Sequence, residues 1–333
     1  MSNPDLVEVL RGALVESRHR GAVAVVEANR GTAFTLGDTE TPVYPRSAVK
    51  ALQALPLIES GAAERFGFGD EELALACASH GGEPGHVATA QRMLTAAGLD
   101  KAALQCGAHW PSHSASAREL ARAGQEPSAL HNNCSGKHAG FVCTACALGV
   151  DHRDYISPAH RVQREVRAVI ESLAESRLDD EHLGIDGCSA PNWALPLKNL
   201  ALAFARFGSG HTLSSQRAKA AARLRAACAT KPWHVAGTGR FCTEMMQHFG
   251  SRVFVKTGAE GVYCAALPEQ GLGIALKCED GAGRAAELVM AAMIARFLPE
   301  ADRSWLGRFL QPTLRNWNGT AVGGLRPTEV LSR

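Results

Sequence analysis

The sequence predicts a mixed α/β fold of the α+β kind, in which an antiparallel sheet is built from strands at both ends of the chain and a helical lobe is inserted between them. Three observations carry this. Residues 6 to 37 alternate apolar and polar side chains with many β-branched residues, and residues 252 to 277 return to the same pattern. The stretch between them places apolar residues at helical spacing, in alanine-rich segments closed by glycine. No internal repeat or low-complexity linker divides the chain. Residues 1–333 therefore read as a single domain, with a sheet lobe at about 1–45 and 250–333 and a helical lobe at about 46–249.

Taken in order, residues 6 to 37 fit three antiparallel strands, with breaks at Gly21 and at Asn29-Arg30-Gly31. Tyr44 to Leu55 is helix-like and Pro45 suits its entrance. Pro56 interrupts it, and a second helical piece runs to about Phe66. Asp70 caps a short helix over 71–78, which delivers the glycine-rich loop Ser79-His80-Gly81-Gly82-Glu83-Pro84-Gly85-His86. Helices are expected at 86–98 and 114–124, and then from Ser157, Pro196 and Ser214. Strands follow at 252–256, 261–267 and 272–277, and an apolar helix closes the pattern at 283–297.

Composition narrows the function. With 46% hydrophobic and 20% charged residues among 333, the chain can bury a sizeable core. A net charge of +2, with both signs interspersed, forms no basic stripe, so nucleic acid and membrane are not expected as partners and a small-molecule substrate is. No basic-then-apolar leader opens the sequence and no apolar run approaches a membrane span, which reads as a cytoplasmic protein. Ten cysteines scattered through helix-like runs fit reduced thiols.

Ser47 and Lys50 lie three apart on a helical turn, so both project from one face. A serine hydroxyl becomes a nucleophile when a base takes its proton, and a lysine with a depressed pKa is such a base. This is the S-x-x-K arrangement. Lys256-Thr257-Gly258 ends a β-rich run downstream, and a K-T-G strand flanks the nucleophile in serine acyl-hydrolases of this type. Its lysine adds positive charge beside Lys50 and favours an anionic group on the substrate.

Two further segments, Asn132-Asn133-Cys134-Ser135-Gly136-Lys137-His138 and Asp186-Gly187-Cys188-Ser189-Ala190-Pro191-Asn192, place cysteines among polar neighbours, where thiolates could hold a soft or borderline metal such as zinc. His138 would be the conventional third ligand. Lys137 could serve only if deprotonated. His80-x-x-Glu83-x-x-His86 has ligand-like spacing, but its glycines and Pro84 forbid the helix such motifs need. Cys143 and Cys146 lie in an apolar run that reads as a buried helix face.

These motifs together resemble the inducible, thermolabile L-asparaginases of rhizobia, the Rhizobium etli type. The resemblance rests on Arg46-Ser47-x-x-Lys50, Ala78-Ser79-His80-x-Gly82-Glu83, His131-Asn132-x-Cys134-Ser135-Gly136-Lys137-His138, Asp186-Gly187-Cys188-x-x-Pro191, Gly237-x-Gly239-Arg240 and Lys256-x-Gly258-Ala259-Glu260-Gly261, and it covers nearly the whole chain. It implies a fold like that of serine β-lactamases and glutaminases, and a homodimer. It also implies Ser47 as nucleophile, Lys50 as its base, Ser79 and Lys256 as partners in a doubled Ser-Lys arrangement, and zinc on Cys134, Lys137 and Cys188 as an aid to substrate binding.

The reaction expected is hydrolysis of L-asparagine to L-aspartate and ammonia through a seryl ester, with Asp186 receiving the α-ammonium and Arg46, His80 and Asn133 lining the substrate. Two residues depart from the family pattern: Ala51 where proline is frequent, and Cys242 where an acid is frequent. The alternatives are a β-lactamase, penicillin-binding or glutaminase specificity, or a zinc-bearing amino-acid-binding protein without catalysis. The S-D-N element of β-lactamases is absent.

Overall fold

The computed structural model describes residues 2–331. Eight strands form one sheet in the order β11-β12-β1-β2-β10-β9-β8, with β3 also paired to β2. These are β1 (Asp5–Arg11), β2 (Leu14–Glu27), β3 (Thr32–Leu36), β8 (Phe254–Thr257), β9 (Val262–Leu267), β10 (Leu272–Cys278), β11 (Thr313–Arg315) and β12 (Ala321–Pro327). All the pairings are antiparallel. The chain ends interleave, because β12 pairs with β1 and β10 with β2. Outside this sheet, β4 (Pro42–Val43) pairs with β7 (Leu195–Pro196), and β5 (Leu183–Ile185) with β6 (Pro191–Trp193).

Gly21, expected to break a strand, lies inside β2. A Cβ there would meet the Lys277 carbonyl at 2.3 Å, so the glycine lets β10 approach. The turn falls instead at Gly12, with φ 57°. Residues 14–20 of β2 pair with β1 and residues 21–27 with β10, so one long strand joins the two halves of the sheet.

The helices are α1 (Lys50–Gln53), α2 (Leu55–Glu59), α3 (Ala62–Arg65), α4 (Asp70–Ala76), α5 (Pro84–Ala96), α6 (Ser114–Arg122), α7 (Ser135–Ala147), α8 (Arg161–Ala174), α9 (Leu197–Ser209), α10 (Ser215–Thr230), α11 (Pro232–Ala236), α12 (Phe241–Phe249), α13 (Gly283–Phe297) and α14 (Arg303–Leu310). Most lie between β3 and β8, as expected. Pro56 starts α2 rather than ending α1, because its fixed φ and missing N–H cost nothing in a first turn. Gly69, not Asp70, precedes α4, and its N–H bonds the Glu72 carboxylate at 3.1 Å. The helix expected from Ser157 starts at Arg161, where His160 Nδ1 accepts the Val162 N–H at 3.1 Å.

Strands β9 and β10 are buried along nearly their whole length, on both faces of the pleat. Helices α9 and α13 cover them. Contact with α9 is close enough that a Cβ on Gly273 would lie 2.0 Å from the Ala201 carbonyl.

Candidate functional site

Ser47 sits in a 3₁₀ turn, Arg46–Val49, that leads directly into α1. Arg46 holds φ 51°, a left-handed conformation that costs a residue with a Cβ. Its guanidinium Nε donates to Asp186 Oδ1 at 2.8 Å, tying the turn to the loop after β5. Gly258 presses on the turn from the sheet side, where a Cβ would meet the Pro45 carbonyl at 2.7 Å. Ser47 is half-buried, and among the described residues its hydroxyl has no hydrogen-bond partner.

Lys50 is fully buried but does not bond Ser47, as the three-residue spacing led one to expect. Its Nζ turns inward, to the Ala78 carbonyl at 2.6 Å, Ser79 Oγ at 2.9 Å and the Asn133 carbonyl at 3.4 Å. Three acceptors match the three protons of an ammonium. Lys256, at the end of β8, reaches the other side of the same hydroxyl: its Nζ lies 2.8 Å from Ser79 Oγ and 2.9 Å from the Thr257 carbonyl. Burial, and then the charge of Lys50, pull the Lys256 amine from its ordinary value to about 7. Ser79 thus bridges two lysines, one from each lobe.

Ser79 owes its place to the end of α4 and to α11, since its N–H donates to the Val235 carbonyl at 2.9 Å. The glycine-rich loop after it is latched by Glu83, which accepts the Thr238 N–H at 2.9 Å and its hydroxyl at 2.7 Å. Burial pushes the Glu83 carboxyl up, but these bonds from Thr238 bring it below its ordinary value. His80 is buried and neutral, because burial and nearby cations depress it. Both its nitrogens are engaged: Nδ1 accepts the Gly82 N–H at 3.1 Å and Nε2 donates to Ser135 Oγ at 2.9 Å. The His80 ring therefore builds the loop. Asn133 offers its carbonyl to Lys50 and to the His80 N–H, while its side-chain amide has no partner among the described residues.

Cys134 precedes α7, whose first turn carries Lys137 and His138. Cys188 lies in the loop after β5, followed by Ser189 at φ 69°. Cys134 neighbours Cys188, whose Sγ accepts from Lys137 Nζ at 3.1 Å. Cys134 and Lys137 pull Cys188 to about 4 against its burial, while the Cys134 thiol is pushed to about 12 by Cys188 and by burial. Burial disfavours the Lys137 ammonium, but the Cys188 thiolate beside it holds its pKa above the ordinary value. Asp186 completes the group. Burial raises its pKa, yet Lys137, the Gly187 N–H and Arg46 keep it a carboxylate.

Two sulfurs and an amine converge, and this donor set would take a zinc ion only with Lys137 deprotonated, which the raised Lys137 pKa opposes. Among the described residues no three His, Cys, Asp or Glu side chains converge as a metal cage, so the set depends on that lysine. His138 instead turns Nδ1 to the Tyr155 hydroxyl at 2.6 Å, and its buried Nε2 has no partner among the described residues.

Arg240 and Cys242, which carry no role in the sequence motifs, lie at the start of α12. Cys242 is buried near Lys256, and burial raises its thiol. A neutral group therefore stands where an acid would raise Lys256.

The model of a protein family described as L-asparaginase II matches residues 7–327. No curated protein sequence matches the chain. Among solved structures, Mglu in its native form is 15% identical, over 90% of this chain and 70% of that one, with a TM-score of 0.45. A β-lactamase from Mycobacterium bovis is 17% identical, over 83% of this chain and 94% of that one, with a TM-score of 0.42. Across the Mglu structures this chain spans 62% to 73% of their length.

Proposed function

The chain belongs to the L-asparaginase II family, and on that ground we propose that it is an amidohydrolase that converts L-asparagine to L-aspartate and ammonia through a seryl ester. The observation that carries the mechanism is the bridge Lys50–Ser79–Lys256, whose Lys50 follows one turn after a half-buried Ser47 with no hydrogen-bond partner on its hydroxyl among the described residues. Ser47 attacks the side-chain carboxamide carbon, ammonia leaves, and water hydrolyses the β-aspartyl ester. Its proton passes to the lysine pair. Lys256, the amine drawn to about 7, is the member able to store that proton at neutral pH, and Ser79 connects it to Lys50. The Ser47 N–H is the candidate oxyanion donor.

Asp186 receives the α-ammonium of the substrate, and Arg46 holds that carboxylate in place. Cys134, Lys137 and Cys188 would hold zinc. A bound zinc ion supplies positive charge that attracts and orients polar groups of the substrate. The chain works as a homodimer in the cytoplasm, with no nucleic-acid or membrane partner; no helix of the described residues is long and apolar enough to cross a membrane.

Ammonia release from L-asparagine tests the activity, and a rapid acid quench followed by peptide mass mapping tests the nucleophile. An aspartyl adduct on the Ser47 peptide is expected. An adduct on Ser79 would reverse the roles of the two serines, and binding without ammonia release would leave an amino-acid-binding protein.

A further inference from the structure

An α-amino acid substrate brings a carboxylate as well as an ammonium, and the cations described so far are committed. Arg46 faces Asp186, Lys50 has three acceptors, Lys137 faces the Cys188 thiolate, and Lys256 is shared between Ser79 and the Thr257 carbonyl. Arg240 differs from all of these. It is exposed, and its guanidinium has no hydrogen bond or ion pair among the described residues.

Its position is fixed by the loop that carries it, Gly237-Thr238-Gly239-Arg240. Glu83 latches Thr238, and Gly237, at φ 103°, passes so close that a Cβ would stand 2.5 Å from Glu83 Oε1. Thr243 Oγ1 donates to the Gly237 carbonyl at 2.7 Å, tying the loop to α12. On the other side Val235 accepts the Ser79 N–H, and the ring of Phe241, next to Arg240, packs edge-on against Tyr263, which pairs across the strands with Thr257 beside Lys256. The loop therefore spans from the neighbourhood of Ser79 to that of Lys256. The Arg240 charge is felt at Lys256, Cys242 and Glu287. Glu287 forms no ion pair with it among the described residues; that half-buried carboxyl accepts the Tyr263 hydroxyl at 3.0 Å, and burial raises its pKa.

We propose that Arg240 receives the α-carboxylate of the substrate, so that the site takes free α-amino acids bearing a side-chain amide and discriminates against amides that lack that carboxylate. This rests on the amidohydrolase reading above. A fixed loop with a solvent-facing guanidinium pre-organises the contact, and Asp186 and Arg240 then bind the two charged groups of one zwitterion.

The test compares wild type, Arg240→Gln and Arg240→Lys on L-asparagine and on 3-aminopropanamide, which keeps the amide and the ammonium and lacks the carboxylate. For L-asparagine, Arg240→Gln is expected to raise KM by about 10- to 100-fold with kcat changed by no more than about threefold, and Arg240→Lys to lie between. For 3-aminopropanamide, kcat/KM should be equal in wild type and Arg240→Gln. Equal KM values for asparagine, or equal losses on both substrates, would overturn the proposal. Calorimetry with L-aspartate and β-alanine keeps the two readings apart. If wild type releases no ammonia, a Kd for aspartate about tenfold weaker in Arg240→Gln, with β-alanine unaffected, still upholds the contact. Equal aspartate affinity, or none in either protein, overturns it.

Discussion

A hydroxyl has one proton to give, and Ser79 holds its own between two amines. Both amines donate to the Ser79 oxygen, Lys50 at 2.9 Å and Lys256 at 2.8 Å, so the hydroxyl couples one lysine to the other. Removing any member breaks one unit, so Ser47→Ala, Lys50→Ala and Lys256→Ala are each expected to lose about three or more orders of magnitude in kcat, with the Ser47/Lys50 double variant little worse than either single one. Additive losses in steady-state kinetics would separate the two residues.

The pH profile follows from the same lysine. A base acts when deprotonated, and Lys256 is drawn down to about 7, so kcat/KM should rise with pH and level off above that value. Cys242 helps to set it by being neutral. Cys242→Asp should place a negative charge behind the amine and move the rising limb about one to two pH units higher, while Cys242→Ser leaves it in place. The same limb in both variants would remove Lys256 from the base role.

Cys188 tests the zinc separately. Cys188→Ala is expected to lose metal by elemental analysis and to raise KM for asparagine while keeping measurable kcat, because in this site the serine supplies the nucleophile. A kcat abolished as completely as in Ser47→Ala would instead make the metal part of the bond-breaking step.

At the level of elements, the strand ending in Lys256-Thr257-Gly258 was legible because β-branched residues and a three-residue motif coincide there. What the motif could not convey is that Gly258 matters through space: it is the contact between β8 and the turn carrying Ser47, with no room for a Cβ against the Pro45 carbonyl. Gly258→Ala should push that turn outward and lower kcat by about a hundredfold with the far-ultraviolet spectrum unchanged; an unaltered kcat would show that the turn tolerates displacement. The Ser47–Lys50 spacing was misleading for a related reason. Periodicity sets which face a lysine leaves from, but the carbonyls of Ala78 and Asn133, 28 and 83 residues away, decide where its amine goes. The hairpin of β11 and β12 and the helix α14 were not anticipated. β11 is only three residues long, β12 is mostly half-buried with no in-out alternation, and Gly323 and Gly324 blur the pattern further; a Cβ on Gly323 would meet the Leu10 carbonyl at 1.9 Å.

Across the whole molecule, Ser47, Lys50 and Ser79 come from the helical segment and Lys256 from the sheet, so the chemistry sits on a seam that exists only when the two are docked. The two-ended β pattern made the sheet readable, but not the packing that closes the seam. That packing depends on α9 lying directly on β10, where a Cβ on Gly273 would stand 2.0 Å from the Ala201 carbonyl and 2.3 Å from the Ala205 nitrogen. Both are backbone atoms, which cannot rotate away as a side chain would, so Gly273→Ala forces the helix off the sheet at a cost of about 1–3 kcal/mol or more. That is a large fraction of a typical stability of about 5–15 kcal/mol. The variant should unfold at lower urea with an unchanged m-value, while the molecules that remain folded keep the wild-type KM. Gly258→Ala should do the reverse, keeping the urea midpoint and losing kcat. If Gly273→Ala leaves the midpoint in place, the contact between α9 and β10 is not what holds the seam closed.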